Sequence, residues 1–219
     1  MALLDKEVSK QVKNMLGDME RTVKVLFFKS DDESKCEYCS TIEQLLAELS
    51  ELNDKISVGI IDVDGEEQEM EEYGIEMIPA LVLLTEDGKD LGVRFYGIPA
   101  GHEFSTFLQD ILVFSKGAIP QLSEESLKKL QGVEKPVNIK VFVTVTCPYC
   151  PRAVFTAHQL AMANDRITAS MVEANEFMEL SAKFGVSSVP HVVINDEHFF
   201  VGAYPEKDFV EEVLKVAKG

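Results

Sequence analysis

Ile139-Lys140-Val141-Phe142-Val143-Thr144-Val145-Thr146-Cys147-Pro148-Tyr149-Cys150 is the stretch on which the reading of this chain turns. A short, β-branched-rich apolar run from Ile139 to Val143 has strand length and leads into Cys147. A helical pattern then continues through Ala163. The same arrangement stands earlier, where Val23 to Phe28 is an apolar run that precedes Cys36-Glu37-Tyr38-Cys39. The two motifs use all 4 cysteines. Each is followed, 43 residues after its first cysteine, by a proline behind a β-branched residue, at Ile78-Pro79 and Val189-Pro190. The copies lie 111 residues apart, a register that one chance Cys-x-x-Cys would not produce.

The offset divides the 219 residues into two units of ordinary domain size, expected at 1–117 and 118–219 with a short linker near Lys116 to Ser123. Both halves read in one order: helix, strand, dithiol, helix, strand, short helix, proline, hairpin, helix. In the first, strands are expected at Val23–Phe28, Ile56–Val63, Ala80–Leu84 and Val93–Tyr96, with a short acidic helix from Glu66 to Tyr73. In the second they are expected at Ile139–Val143, Ile167–Glu173, His191–Ile194 and Phe199–Val201, and Ser123 reads as a helix N-cap. Two strands joined through a helix run parallel and a hairpin runs antiparallel. The expected class is therefore α/β, with each unit a mixed sheet flanked by helices on both faces.

Composition narrows the function. The net charge of −17 lies mostly on residues 1–117, which hold 25 acids against 11 bases. Phosphate contacts need a basic footprint, so a nucleic-acid partner is not expected. Asp62 to Glu76 holds eight acids and no base, the pattern of a solvated helix face. No apolar run reaches the ~18 residues that span a bilayer, so no membrane association is expected. The first residues lack a basic segment followed by an apolar core, and a cytoplasmic location is expected. In reducing cytosol a Cys-x-x-Cys is usually catalytic or metal-binding rather than structural.

A cysteine between a strand end and a helix start faces unsatisfied backbone N–H groups and the positive end of the helix dipole. Both favour thiolate over thiol. A thiolate attacks a disulfide, and a second cysteine one turn on resolves the mixed disulfide. Cys147 and Cys36 are thus the expected nucleophiles, with Cys150 and Cys39 the resolving thiols. Pro190 and Pro79 are expected to be cis, because X–Pro bonds tolerate cis far better than others. With Val189 and Ile78 they would let a substrate backbone lie beside the dithiols. Tyr149 and Tyr38, at the second intervening position, would contact substrate or simply cover the site. His191, after Pro190, and the strand-borne acids Asp62 and Glu173 are candidates for handling protons. His102, His158 and His198 read as surface or helix residues without a role. A structural zinc held by four thiolates, or two inert disulfides, are the non-catalytic alternatives.

Cys-Pro-Tyr-Cys after a strand, with Val-Pro downstream, resembles glutaredoxin. The tandem pair of dithiols resembles the protein disulfide oxidoreductase family, whose members are built from two thioredoxin folds and act like protein disulfide isomerase. That resemblance, from about Leu16 to Lys215, implies two tandem thioredoxin-like folds and a thiol–disulfide oxidoreductase that reduces, forms or isomerises protein disulfides. It implies no bound cofactor or metal, disulfide-containing protein substrates, and electrons from a thioredoxin-reductase-like flavoprotein. Glutaredoxins carry Gly-Gly and then an acid near the glutathione site, whereas Gly202-Ala203-Tyr204 stands here. Thioredoxins place a buried acid six residues before the first cysteine, where Val141 and Ser30 stand here. Two other classes stay open. One is a dedicated electron relay resembling the amino-terminal segment of alkyl-hydroperoxide-reductase flavoproteins, which commonly keeps one active dithiol. The other is a non-catalytic, chaperone-like binding module.

The two dithiols differ in charge. Cys36 lies among Asp31, Asp32, Glu33 and Glu37, whereas Cys147 has no acid within ten residues and has Arg152 five residues on. Negative charge opposes thiolate formation. Iodoacetamide alkylation against pH, on variants that each keep one dithiol, should give a lower thiolate pKa for Cys147 than for Cys36. Cys147/Cys150 is accordingly the expected substrate-facing site and Cys36/Cys39 the auxiliary or electron-receiving one, and the opposite order would exchange them.

Overall fold

A computed structural model of the chain describes residues 2–32, 34–64 and 67–217. Glu33, counted above among the acids near Cys36, and Glu66, at the expected start of the acidic helix, lie outside the described residues. Contacts divide the chain into two compact units. One holds residues 1–90, 96–98 and 111–118; the other holds 91–95, 99–110 and 119–219.

In the first unit, helix α1 (Lys6–Leu16) opens on Asp5, whose carboxylate accepts from the backbone N–H of Glu7 and Val8 at 2.8 Å each. Val12 and Leu16, four apart, are its buried stripe. Strand β1 (Val23–Lys29) has Phe27 and Phe28 fully buried. After the first dithiol come helix α2 (Cys39–Leu52), strand β2 (Ile56–Asp62), the short helix α3 (Glu67–Glu72) and strand β3 (Ala80–Leu84). The order is β2-β1-β3, with β1 parallel to β2 and antiparallel to β3. Strand β2 lies at the edge, and its alternating exposure leaves Ile60 half in solvent. A tight turn at Thr85–Lys89 ends β3, with Gly88 in the left-handed region.

In the second unit lie most of strand β4 (Asp90–Tyr96) and the first eight residues of helix α4 (Glu103–Ser115). Helix α5 (Glu124–Leu130) begins at Ser123, whose hydroxyl caps the Ser126 N–H as its sequence position suggests. Strand β5 (Val137–Val143), helix α6 (Cys150–Ala163), strand β6 (Ile167–Glu173), helix α7 (Met178–Lys183), strands β7 (His191–Ile194) and β8 (His198–Val201) and helix α8 (Glu206–Ala217) complete it. The order is β4-β6-β5-β7-β8. Strands β5 and β6 are parallel, and β7 is antiparallel to both β5 and β8. Five consecutive buried residues at the end of both β5 and β6 mark central strands covered on both faces. Each unit is thus a mixed sheet with helices, and the fold is the expected α/β pair of thioredoxin-like units.

The repeat is close but not identical in length. Lys29 pairs with Asp62 and Val143 with Glu173 at the ends of matching parallel ladders. The first dithiol follows its strand by three residues more than the second does. The shorter loop is pinned: the His102 N–H donates to Val145 O at 3.0 Å just before α4. Gly101 makes that approach possible. It has φ +59, and a Cβ there would run into the Val145 carbonyl.

Gly101→Ala should therefore destabilise the protein by about 1–3 kcal/mol. It should also slow alkylation of reduced Cys147 while leaving that of Cys36 unchanged. Urea denaturation and the two alkylation rates test this.

Candidate active site

Both dithiols sit where a buried strand hands over to a helix. Helices α2 and α6 begin at the second cysteine of each motif, with Tyr38 and Tyr149 at the N-cap. Neither cap supplies a side-chain hydrogen bond, and neither helix has an acid in its first turn. Pro151 fits the first turn of α6, where its missing N–H would have no helical partner anyway. The helix ends nearest the sulfurs thus keep their positive character. Cys36–Cys39 and Cys147–Cys150 are both disulfides, and all four residues are buried. The loops that present them are tied by backbone bonds, Cys36 N–H to Asp32 O at 3.1 Å and Cys147 N–H to Thr144 O at 3.0 Å.

The peptide bonds Ile78–Pro79 and Val189–Pro190 are both cis. Each proline carbonyl accepts from a glycine N–H, Gly97 at 3.0 Å and Gly202 at 2.8 Å, in the strand-to-helix turn that follows. At the second site Cys147 Sγ lies 3.9 Å from Val189 O. Beside it is a groove of about 300 Å³. Pro148, Tyr149 and Arg152 form one wall, and Val189 and Pro190 with Gly202 and Ala203 form the other. Tyr149 is 71% exposed there, while Tyr38 is half-buried.

The proton-handling candidates are placed differently from one another. Asp62 is exposed at the end of β2, where its Oδ1 accepts the Asp64 N–H at 3.0 Å. Glu173 is buried, and both its oxygens are engaged by the next turn. Oε2 takes the N–H groups of Asn175 and Glu176 at 2.8 Å, and Oε1 takes the Asn175 side-chain amide at 3.0 Å. His191 is buried and stacks on Phe199 with ring centroids 5.2 Å apart. Neither of its ring nitrogens has a partner among the described residues, and burial lowers its pKa, favouring neutral imidazole.

The charge around the first dithiol is organised into pairs. Lys29 Nζ holds Asp31 and Glu43, each at 2.7 Å, and Lys35 Nζ holds Asp64 at 2.6 Å. Asp31 first and then Glu43 raise the Lys29 pKa, while Lys35 lowers that of Asp64 and Ser34 lowers that of Asp32. Two lysines thus neutralise part of the acidic charge around the first dithiol.

A second polar group went unread in the sequence. His158 of α6 is fully buried, and its Nδ1 lies 2.6 Å from Oδ2 of Asp110 on α4, itself fully buried. Phe95 packs edge-on against the imidazole at 4.9 Å. Burial pushes the Asp110 pKa up, against the pull of His158. Two turns earlier on α4, Glu103 is 1% exposed and accepts from Thr106 at 2.8 Å. Burial first, and the Asp110 charge second, raise its pKa to about 7. Glu103 directly follows His102, whose N–H holds the loop before Cys147. Position six before each first cysteine holds no acid, and the buried acids of this unit stand on α4 instead. In sequence, only the spacing of Glu103, Thr106 and Asp110 along one helix face among phenylalanines hinted at it.

The family description "Thioredoxin-like domain" matches residues 8–112, and "Thioredoxin domain" matches 137–215. A protein disulfide oxidoreductase from Aeropyrum pernix is 28% identical, with a TM-score of 0.88 over 98% of this chain and 94% of that one. The amino-terminal (NTD) domain of the alkyl hydroperoxide reductase AhpF of Enterococcus faecalis is 27% identical, with a TM-score of 0.86 over 95% of this chain and 99% of that one. The corresponding reductase of Staphylococcus aureus is 28% identical over 216 residues, 98% of this chain. The chain spans 38% of that relative's length.

Glu103 has a measurable signature. An ordinary glutamate ionises near 4.5, whereas folded Glu103 keeps its proton to about 7. Between those values the folded state holds a proton that the unfolded chain has released, so stability falls as pH rises through the window. The displacement corresponds to a loss of up to about 3 kcal/mol, complete above neutrality. Glu103→Gln should accordingly gain stability over wild type at pH 8 and not at pH 4. Parallel denaturation curves for the two proteins across that range would remove Glu103 from the set of buried neutral acids.

Proposed function

Because the chain belongs to the thioredoxin-like thiol–disulfide oxidoreductases, we propose that it exchanges electrons with disulfide-containing proteins through Cys147/Cys150 and Cys36/Cys39. The observation that carries this reading is the second site. A reducible disulfide there lies at an open helix N-terminus, with its outer sulfur 3.9 Å from the carbonyl before a cis-proline. An open groove adjoins it.

In the reductive direction the Cys147 thiolate attacks one sulfur of the substrate disulfide. A mixed disulfide forms, and the other substrate sulfur leaves as a thiolate that takes a proton. The Cys150 thiol then loses its proton, and its thiolate attacks Cys147 Sγ, releasing the second substrate thiolate. Two electrons pass to the substrate, and the Cys147–Cys150 bond is restored. Tyr149, Val189 and Pro190 bound the space a substrate strand would occupy. Ile78, Pro79 and Tyr38 are their counterparts at the first site. His191 and Glu103, with Glu173 and Asp62 at the strand ends, are the groups from which proton transfer would be drawn. A thioredoxin-reductase-like flavoprotein is the proposed electron source, received at Cys36/Cys39, and the cytoplasm the proposed compartment. Among the described residues no helix is long and apolar enough to cross a membrane.

The second reading is electron relay. It is favoured by the match of nearly the whole chain to part of the alkyl hydroperoxide reductase AhpF. On that reading the donor is a flavoprotein and the acceptor a peroxidase or other thiol partner. Retention of a dithiol at both sites favours the broader oxidoreductase reading.

With dithiothreitol as reductant, the protein should catalyse insulin reduction, and Cys147→Ser should remove most of the rate. A variant lacking all four cysteines that still matched wild type would overturn the oxidoreductase reading. Greater loss from Cys36→Ser than from Cys147→Ser would exchange the roles of the two sites.

A further inference from the structure

Arg152 is in an unfavourable place for a cation. It stands in the first turn of α6, where the helix dipole favours anions, and no acid in that turn offsets it. Its backbone carbonyl accepts from Thr156 at 2.8 Å, but among the described residues no carboxylate pairs with its exposed guanidinium. The chain has 38 acids to supply such a partner. Elsewhere it places them freely on lysines, as at Lys29, Lys35, Lys129 and Lys215. A residue that breaks a local rule without a compensating contact marks a place where function sets the choice.

That place is the rim of the groove beside Cys147. The remaining walls are prolines, aliphatic or small residues and the Tyr149 phenol, so among the described residues Arg152 is the groove's one formal charge. Its planar fork matches a carboxylate with two parallel N–H bonds. The acidic excess of the chain lies mostly on residues 1–117, so at this groove an acidic substrate meets a cation with little opposing charge on the second half.

We propose that Arg152 selects substrates at the second dithiol, favouring disulfides whose cysteine is flanked by aspartate or glutamate. The proposal rests on the oxidoreductase reading and adds its substrate class. The carboxylate docks on the guanidinium while the adjoining cysteine lies along the groove toward Cys147. Arg152 touches substrate outside the reacting sulfurs, so its effect appears in the choice among substrates. A cation acting only on the Cys147 thiolate would speed every substrate alike.

Three disulfide-linked model peptides, identical except for Asp, Asn or Lys beside the cysteine, separate these effects. The protein used is the full chain with Cys36 and Cys39 replaced by serine and with dithiothreitol as the reductant of Cys147/Cys150, the uncatalysed rate being subtracted, so only the second site reports. At low salt, kcat/KM should be about threefold to fivefold higher for the Asp peptide than for the Lys peptide, the range of an exposed ion pair. The preference should shrink as salt shortens the screening length. Arg152→Gln should level the three peptides, and Arg152→Glu should reverse their order. An equal fall on all three peptides, or a preference that survives Arg152→Gln, would overturn the proposal while leaving the oxidoreductase reading intact. No turnover of any peptide before substitution would overturn that reading, and the proposal with it.

Discussion

The site depends on one electrostatic arrangement: a sulfur held at a helix N-terminus that nothing else satisfies. The first N–H groups of a helix have no intrahelical partner, and most helices answer them with a serine, threonine or acid. Here α1 and α5 do so, through Asp5 and Ser123. Helices α2 and α6 do not, and each has a cysteine where the helix starts. The contrast within one chain separates helices that hold the fold together from helices that hold a reactive group. Strand β5, buried on both faces, fixes where the second helix begins, and the Val145 tether fixes the loop between them.

The buried polar cluster raises the opposite problem. Asp110 and His158 satisfy one another through a single hydrogen bond, while Asp110 Oδ1, His158 Nε2 and Glu103 Oε1 have no partner among the described residues. Leaving such atoms in a low-dielectric interior is costly, and an apolar pair of the same volume would usually be at least as stable. Burial therefore moves proton affinities rather than adding stability. The cluster places acids whose proton affinity burial raises inside the unit that carries the second dithiol.

The sequence was most readable where a pattern is local. Alternation and apolar runs located every strand, with ends displaced by a few residues: β4 begins at Asp90 rather than Val93, and β5 at Val137 rather than Ile139. The extra residues include Asp90, Gly92 and Asn138, which are poor strand formers, and Val137 directly after Pro136, so their strand pairing has little signal along the chain. A helical pattern runs from Glu176 to Phe184, yet helix α7 starts only at Met178, because Glu173 takes the N–H groups of Asn175 and Glu176 into a turn before it. His158 was unreadable for a different reason. Its partner Asp110 is 48 residues away, and a polar residue on a helix looks exposed until the other helix is placed against it. Glu103 was hidden likewise, as a charged residue near the start of a helix whose legible face is made of phenylalanines and aliphatic residues.

The allocation of α4 bears on how the chain can be dissected. Its residues up to Asp110 make their contacts with the second unit, although they are encoded before the linker. A fragment cut at the repeat boundary and begun near Ala118 would keep both cysteines of the second motif. It would lose the tether to Val145, the Phe95 ring against His158 and the carboxylate that imidazole is buried with. The heritable module and the folding module are therefore different lengths of chain. The second repeat takes part of its supporting wall from upstream sequence, so a cut at the seam between the repeats would separate the dithiol from those surroundings.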